Sequence, residues 1–270
     1  MTRRIALLLI GSLCITLSHA DGSSGRKRTG TLTANQVIAS EVLGYELQYR
    51  VYLPPDHEKL IDLPVLYVVD GQSYIEPGEL PELLDRLIAK QRITPIAVVF
   101  VDSREPGNSR INRRNEQFFC NEKYAAFFTD ELIPKIDATY PTKAHRDQRA
   151  TLGLSFGGLN SACFGLLAYR SFGAIAMQSP AVYPVPGILD EYERAPKLPL
   201  RIFLSTGTYN DNEASTRRLR SILDMKGYVM SYVETPHGHD WRNWKPQLDN
   251  VLIFLFPQER RRQVGRTNDR

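Results

Sequence analysis

A chain of 270 residues with 42% hydrophobic and 24% charged residues has material for one large buried core and is too apolar for a disordered polypeptide. Its formal charge of +4 collects at the ends, with Arg3 and Arg4 at the start and five arginines after Glu259, so the body between them is close to neutral. That leaves no basic stripe for a nucleic-acid groove, and past the first twenty residues no run approaches the ~20 apolar residues of a membrane span.

The first twenty residues read as a secretory signal peptide: a basic start, an apolar run over residues 5–17, then Ser18-His19-Ala20 with small residues at the −3 and −1 positions. Cleavage is expected after Ala20, which removes Cys14 and directs the mature protein to the periplasm or the medium. Residues 21–31, rich in glycine, serine and charge, read as a flexible leader, and residues 258–270 as a basic, disordered tail. Cys120 and Cys163 remain in a chain bound for an oxidising compartment, where they either pair or, as buried thiols, stay free.

Residues 45–52 alternate polar and apolar with aromatics, as an antiparallel strand does. Residues 64–69 and 96–101 are nearly continuous runs of valine, isoleucine and leucine, the pattern of strands covered on both faces. Between them residues 80–90 have helical spacing, and a second helix is expected over residues 123–140, stopped by Pro141. Strands over 150–154, 174–177, 200–204 and 229–234 then alternate with helices over 158–169, 213–226 and 241–256. This alternation predicts a doubly wound, mostly parallel α/β sheet with antiparallel strands at one edge. Residues 182–198 are too few for a lid domain, so the cleft is expected to be open.

Gly153-Leu154-Ser155-Phe156-Gly157 falls on the turn from the strand over 150–154 into a helix, where a nucleophile elbow sits. A serine hydroxyl needs a neighbouring histidine to accept its proton. In this fold the order along the chain is serine, acid, histidine. His237 and His239 follow the last strand; His57 and His145 precede the elbow and read as surface residues. The acid is expected after the strand over 200–204, where Asp211 and Glu213 lie. Glu213 suits the first turn of the next helix, so Asp211 is preferred, its alternative role being an N-cap. A tetrahedral intermediate needs two backbone donors. The amide of Phe156 supplies one, and Gly71-Gln72 supplies the other, with glycine permitting a turn that aims an amide into the cleft.

The stretches Leu66-Tyr67-Val68-Val69-Asp70-Gly71-Gln72, Arg113-Arg114-Asn115-Glu116, Glu131-Leu132-Ile133-Pro134, Gly153-Leu154-Ser155-Phe156-Gly157-Gly158, Gly207-Thr208 with Asp211, and Gly238-His239-Asp240-Trp241 with Trp244 carry a resemblance. The chain resembles the esterase family that contains enterochelin esterases, feruloyl esterase domains, esterase D and the mycolyltransferases. The resemblance implies an α/β-hydrolase catalytic domain over residues 32–257, with no large lid. It implies a serine esterase that cleaves carboxylic esters through Ser155, His239 and Asp211, exported as the signal peptide indicates. It places the base at His239 and not at His237, and gives Trp241 and Trp244 a packing role. Arg113 and Glu116 fall on an Arg-x-x-Glu pair that in siderophore esterases lies in the substrate cleft; the other reading is a surface ion pair. Ser179-Pro180 departs from the Ser-Gly often found in relatives. The implied substrate is a small-molecule ester, of enterochelin type or an aryl or sugar ester, with no metal, no organic cofactor and no nucleic acid. The rivals are acyl transfer to an alcohol and a catalytically silent binding protein; the latter would be expected to have lost Ser155 or His239.

Overall fold

A computed structural model describes residues 29–258. The expected signal peptide, most of the leader and the basic tail from residue 259 lie outside the described residues. The elements run β1 (Thr31–Leu32), β2 (Gln36–Ser40), β3 (Tyr45–Leu53), β4 (Val65–Val69), α1 (Gly71–Ile75), α2 (Leu80–Ala89) and β5 (Ala97–Asp102). Next come β6 (Arg104–Glu105), β7 (Asn108–Asn112), α3 (Arg114–Phe118), α4 (Glu122–Ala126), α5 (Ile133–Thr139), β8 (Arg149–Leu154) and α6 (Phe156–Leu167). The last are β9 (Ala174–Gln178), α7 (Ile188–Arg194), β10 (Arg201–Gly207), α8 (Glu213–Met225), β11 (Val229–Thr235), α9 (Trp241–Trp244) and α10 (Leu248–Leu255).

One nine-stranded sheet has the order β1-β3-β5-β4-β8-β9-β10-β11, with β2 also on β3. From β5 to β11 every neighbour is parallel, while β1, β2 and β3 are antiparallel additions at one edge. Side chains alternate between the faces of a strand. In β4, Leu66 and Val68 therefore join the core under α2 and α10, while Val65, Tyr67 and Val69 join the core on the opposite face. Both faces are covered, which is why the strand is written as an unbroken apolar run. This is the mostly parallel, doubly wound sheet with antiparallel edge strands expected from the alternation, and the α/β-hydrolase fold that the resemblance implies.

Three departures from the sequence expectation have physical causes. The helix expected over residues 123–140 is broken by a π-helical turn over Phe127–Leu132. Pro134, in the first turn of α5, has no N–H to donate and would crowd the carbonyl four residues earlier, so the helix widens ahead of it. The helix expected over 241–256 is likewise split by a 3₁₀ turn at Lys245–Gln247 containing Pro246. The leader was expected to extend through residue 31, but Thr31 pairs with Leu53 and the Gly30 amide donates to Asp85 Oδ1 at 2.7 Å. Cys120 and Cys163 form a disulfide that ties the α3–α4 connection to α6. Among the described residues no helix is long and apolar enough to cross a membrane.

Candidate active site

The parallel strands all end on one side of the sheet, and the loops leaving those ends converge there, as is general for open α/β folds. Ser155 follows β8 with φ 56° and ψ −118°, a strained strand-to-helix turn of the geometry that a nucleophile elbow requires. The turn exists because of its glycines: a Cβ on Gly153 would lie 2.1 Å from the Gly157 carbonyl oxygen. The Ser155 amide donates to the Gln178 carbonyl at 2.9 Å, which fixes the elbow to the end of β9.

His239 Nε2 is 2.8 Å from Ser155 Oγ, and its Nδ1 is 2.6 Å from Asp211 Oδ1. Residues from three loops, after β8, β10 and β11, thus meet in one chain of hydrogen bonds. Glu213, the alternative acid, starts α8 and accepts the Asp211 amide at 3.2 Å. His237 is held through its backbone: its carbonyl accepts from the Tyr209 amide at 3.2 Å and its amide donates to the Thr235 carbonyl at 2.8 Å.

Asp211 is fixed on its other side too. Its Oδ2 accepts from Ser179 Oγ at 2.6 Å, Asn243 Nδ2 at 2.9 Å and the Gly207 amide. Burial works against the charge, yet the hydrogen bonds from His239, Ser179 and the Gly207 and Asn212 amides outweigh it and hold the carboxyl at about 2. An ionised acid against Nδ1 orients the imidazole so that Nε2 faces the serine and can take its proton.

Phe156 and Gln72 each lie in the first turn of a helix, α6 and α1, where amides have no intrahelical acceptor and the helix dipole is positive. The left-handed residue is not Gly71, where a turn was expected, but Asp70, with φ 53°. Glycine is required at 71 for a different reason: a Cβ there would lie 2.5 Å from the Phe100 backbone.

Asp70 is 4% exposed and receives Arg114 Nε at 2.7 Å. Burial raises its carboxyl above the ordinary value, with the Arg114 charge and hydrogen bond opposing it. The same guanidinium lies 4.9 Å from the Phe156 ring centroid, on whose other contacts Phe119 sits at 4.9 Å and the exposed Tyr183 at 5.5 Å. Arg113 and Glu116 pair with each other at 3.2 Å, and Arg113 also covers the Tyr45 ring at 4.3 Å. Trp241 packs on Tyr74 as expected, but Trp244 does more than pack: its Nε1 donates to Ser179 Oγ at 2.9 Å and its ring lies edge-on to His239.

Asp70, Arg114, Ser179 and Asn243 were not singled out by sequence reasoning. For Arg114 a signal existed, since it stands beside Arg113 in the same motif; for Ser179 the departure at Ser179-Pro180 pointed to the right place without giving a role. Among the described residues no cluster of histidine, cysteine, aspartate and glutamate could hold a metal ion.

Known proteins bear on the same region. The chain is 26% identical over 240 residues to the uncharacterised protein YjcH of Bacillus subtilis, covering 83% of this chain and 97% of that one. It is 27% identical to an endo-1,4-beta-xylanase/feruloyl esterase of Xylanibacter ruminicola, over 80% of this chain and 30% of the relative. It is 25% identical to the iron(III) salmochelin esterase of Escherichia coli, over 89% and 62%. A solved ferulic acid esterase superposes with TM-score 0.72 at 20% identity, over 84% of this chain and 98% of its own. The enterobactin esterase of Shigella flexneri superposes with TM-score 0.74 at 21% identity, over 82% and 58%. These structural likenesses establish the fold. The model of the family described as "Putative esterase" matches residues 40–255, most of the chain and every residue of the site above, and the chain belongs to that family.

Proposed function

We propose that the protein is an exported serine esterase. The observation that carries this reading is the hydrogen-bonded series Ser155 Oγ, His239 Nε2, His239 Nδ1 and Asp211 Oδ1, with separations of 2.8 and 2.6 Å, set on an elbow turn. His239 accepts the Ser155 proton as Oγ attacks the ester carbonyl. The oxyanion is met by the Phe156 and Gln72 amides, and His239 then gives the proton to the leaving alcohol. Water, activated by the same histidine, releases the acyl group from Ser155. No step calls on a metal or an organic cofactor.

The substrate is a small-molecule ester that carries an aromatic group. Support comes from the rings of Phe156, Phe119 and Tyr183 beside the nucleophile, Tyr183 being 71% exposed, and from relatives named for feruloyl and siderophore esters. Export is supported by the amino-terminal sequence and by the Cys120–Cys163 disulfide, which suits an oxidising compartment.

A fluorophosphonate probe tests the reading. It is expected to label the native protein and neither Ser155→Ala nor His239→Ala, with ester turnover lost in both. Unchanged turnover in Ser155→Ala overturns it. Feruloyl esters compared with catecholate lactones and acetyl sugars, with and without an added acceptor alcohol, then separate substrate classes and hydrolysis from transfer.

A further inference from the structure

Ser179, one residue past β9, is fully buried and has φ 45° directly before Pro180. Positive φ is unfavourable for a residue with a Cβ, and a following proline disfavours the helical regions further. Glycine would fit this backbone more easily, so the hydroxyl is what the position retains. That hydroxyl is 2.9 Å from Trp244 Nε1, 3.2 Å from Asn243 Nδ2 and 2.6 Å from Asp211 Oδ2. An indole N–H only donates and an ionised carboxylate only accepts. The hydrogen on Ser179 Oγ therefore has one destination, Asp211. Asn243 is fixed in the same way: its Oδ1 accepts from Thr235 Oγ1 at 2.7 Å and from Gln247 Nε2, which turns Nδ2 toward Asp211.

We propose that Ser179 is a positioning residue of the reaction, whose hydroxyl, oriented by Trp244, pins Oδ2 of Asp211 so that Oδ1 stays on His239. This rests on the triad reading given above. A carboxylate held only through Oδ1 would be free to rotate about its Cβ–Cγ bond. Donors gathered on Oδ2 remove that freedom, and the N–H to O–H to carboxylate series strengthens each bond in it. Trp244 acts at both ends, since its ring edge packs on His239 with centroids 5.0 Å apart. Charged or titratable groups set near the pair include Glu213, bonded to the Asp211 amide, Tyr209, His237 and Arg242, which line a cavity beside His239, and Asp240, which pairs with Arg242.

The test measures pH–rate profiles and thermal stability of Ser179→Ala, Ser179→Gly, Trp244→Phe and the double variant Ser179→Ala/Trp244→Phe, with Ser155→Ala as control. The expected result is a fall in kcat of roughly tenfold in Ser179→Ala and Ser179→Gly, with KM little changed, as for loss of one hydrogen bond to a charged group. Removing a donor from Oδ2 changes the charge that Asp211 presents to the imidazole, so the acid limb of kcat/KM moves, by about half a unit. Trp244→Phe moves both readouts in the same direction, and the double variant is no worse than Ser179→Ala, because both changes act on one series. Ser179→Gly relieves the backbone and separates the hydroxyl from folding. A folded Ser179→Gly with native kcat and an unmoved acid limb overturns the proposal, while Ser155→Ala still inactive leaves the triad reading standing. Turnover retained in Ser155→Ala overturns both.

Discussion

Arg114 donates from Nε to the buried carboxylate of Asp70 at 2.7 Å, joining the start of α3 to the residue that turns the chain into α1. Its Nη2 also reaches the Leu154 carbonyl at 3.4 Å, one residue before Ser155. One side chain thus braces the loop of Gln72 and the elbow of Ser155 against each other. Removing it leaves the buried carboxylate without its cation, with the Ser103 hydroxyl at 3.3 Å as its remaining side-chain donor. Arg114→Met is expected to lower stability by about 3 kcal/mol, the low end for a broken buried pair because the guanidinium is partly exposed. That corresponds to a fall in Tm of about 6–12 °C, read by calorimetry. An unchanged Tm would show that the carboxylate is satisfied without Arg114.

The proposed nucleophile and base act as one unit. Ser155→Ala and His239→Ala should each reduce kcat by on the order of 10⁴- to 10⁶-fold, and the double variant should be no slower than the worse single one. Additive losses in single-turnover assays would mean that the two residues serve separate steps.

Asp211 gives a prediction with a definite sign. Its carboxyl is held at about 2, below the ordinary aspartate value of 3.8, so the folded state binds its proton less readily than the unfolded chain. The stability it contributes is therefore complete above about pH 4 and is lost as the pH falls toward 2. The difference in unfolding free energy between the native protein and Asp211→Asn, from urea titrations, should be level from pH 7 to 5 and shrink below pH 4. A difference that stays level to pH 2 contradicts the assignment. The same variant should lose about 10⁴-fold in kcat, because an amide favours the wrong imidazole tautomer.

Gly71 offers a packing test. A Cβ there lies 2.5 Å from the Phe100 backbone, so Gly71→Ala must push α1 away from β5. The expected cost is about 1–3 kcal/mol. Because the shift moves the Gln72 amide, kcat should fall more than the loss of folded protein explains, which active-site titration beside circular dichroism would measure.

The disulfide spans 43 residues. Cys120→Ala/Cys163→Ala, or full reduction, should lower stability by about 2–4 kcal/mol through the freed unfolded chain. Urea midpoints with and without reductant would show it, and equal midpoints would place the linkage outside the stability of the fold.

What the sequence disclosed follows from how each feature is encoded. Strands such as Val65–Val69 were legible because burial on both faces demands unbroken apolar runs. The hairpin of β6 and β7 was not, since every residue of β7 is exposed and no apolar pattern marks it. The break at Phe127–Leu132 was hidden because apolar spacing continues through it and only Pro134 betrays it. In the site, Ser155 and the histidine loop were readable from short motifs at strand ends. Ser179 was not, because its role depends on Asp211, 32 residues away, and Trp244, 65 residues away, which only the closed sheet brings to it. Glycine at 71 was assigned to a turn, when the demand comes from Phe100 on the neighbouring strand.

The loop after β10 and the loop after β11 are sewn together along their backbones. The Thr208 amide donates to the Thr235 carbonyl at 2.9 Å and the Tyr209 amide to the His237 carbonyl at 3.2 Å, while Gly207 packs where any side chain would strike the His237 carbonyl. Asp211 and His239 are therefore carried by a single bipartite module, hinged on two adjacent parallel strands. A chimaera that exchanged only the histidine loop with a relative would inherit a mismatched seam. A change of length in one of these loops therefore calls for a matching change in the other, and the elbow of Ser155 carries a seam of its own, its amide on the Gln178 carbonyl and its carbonyl under the Ala181 amide.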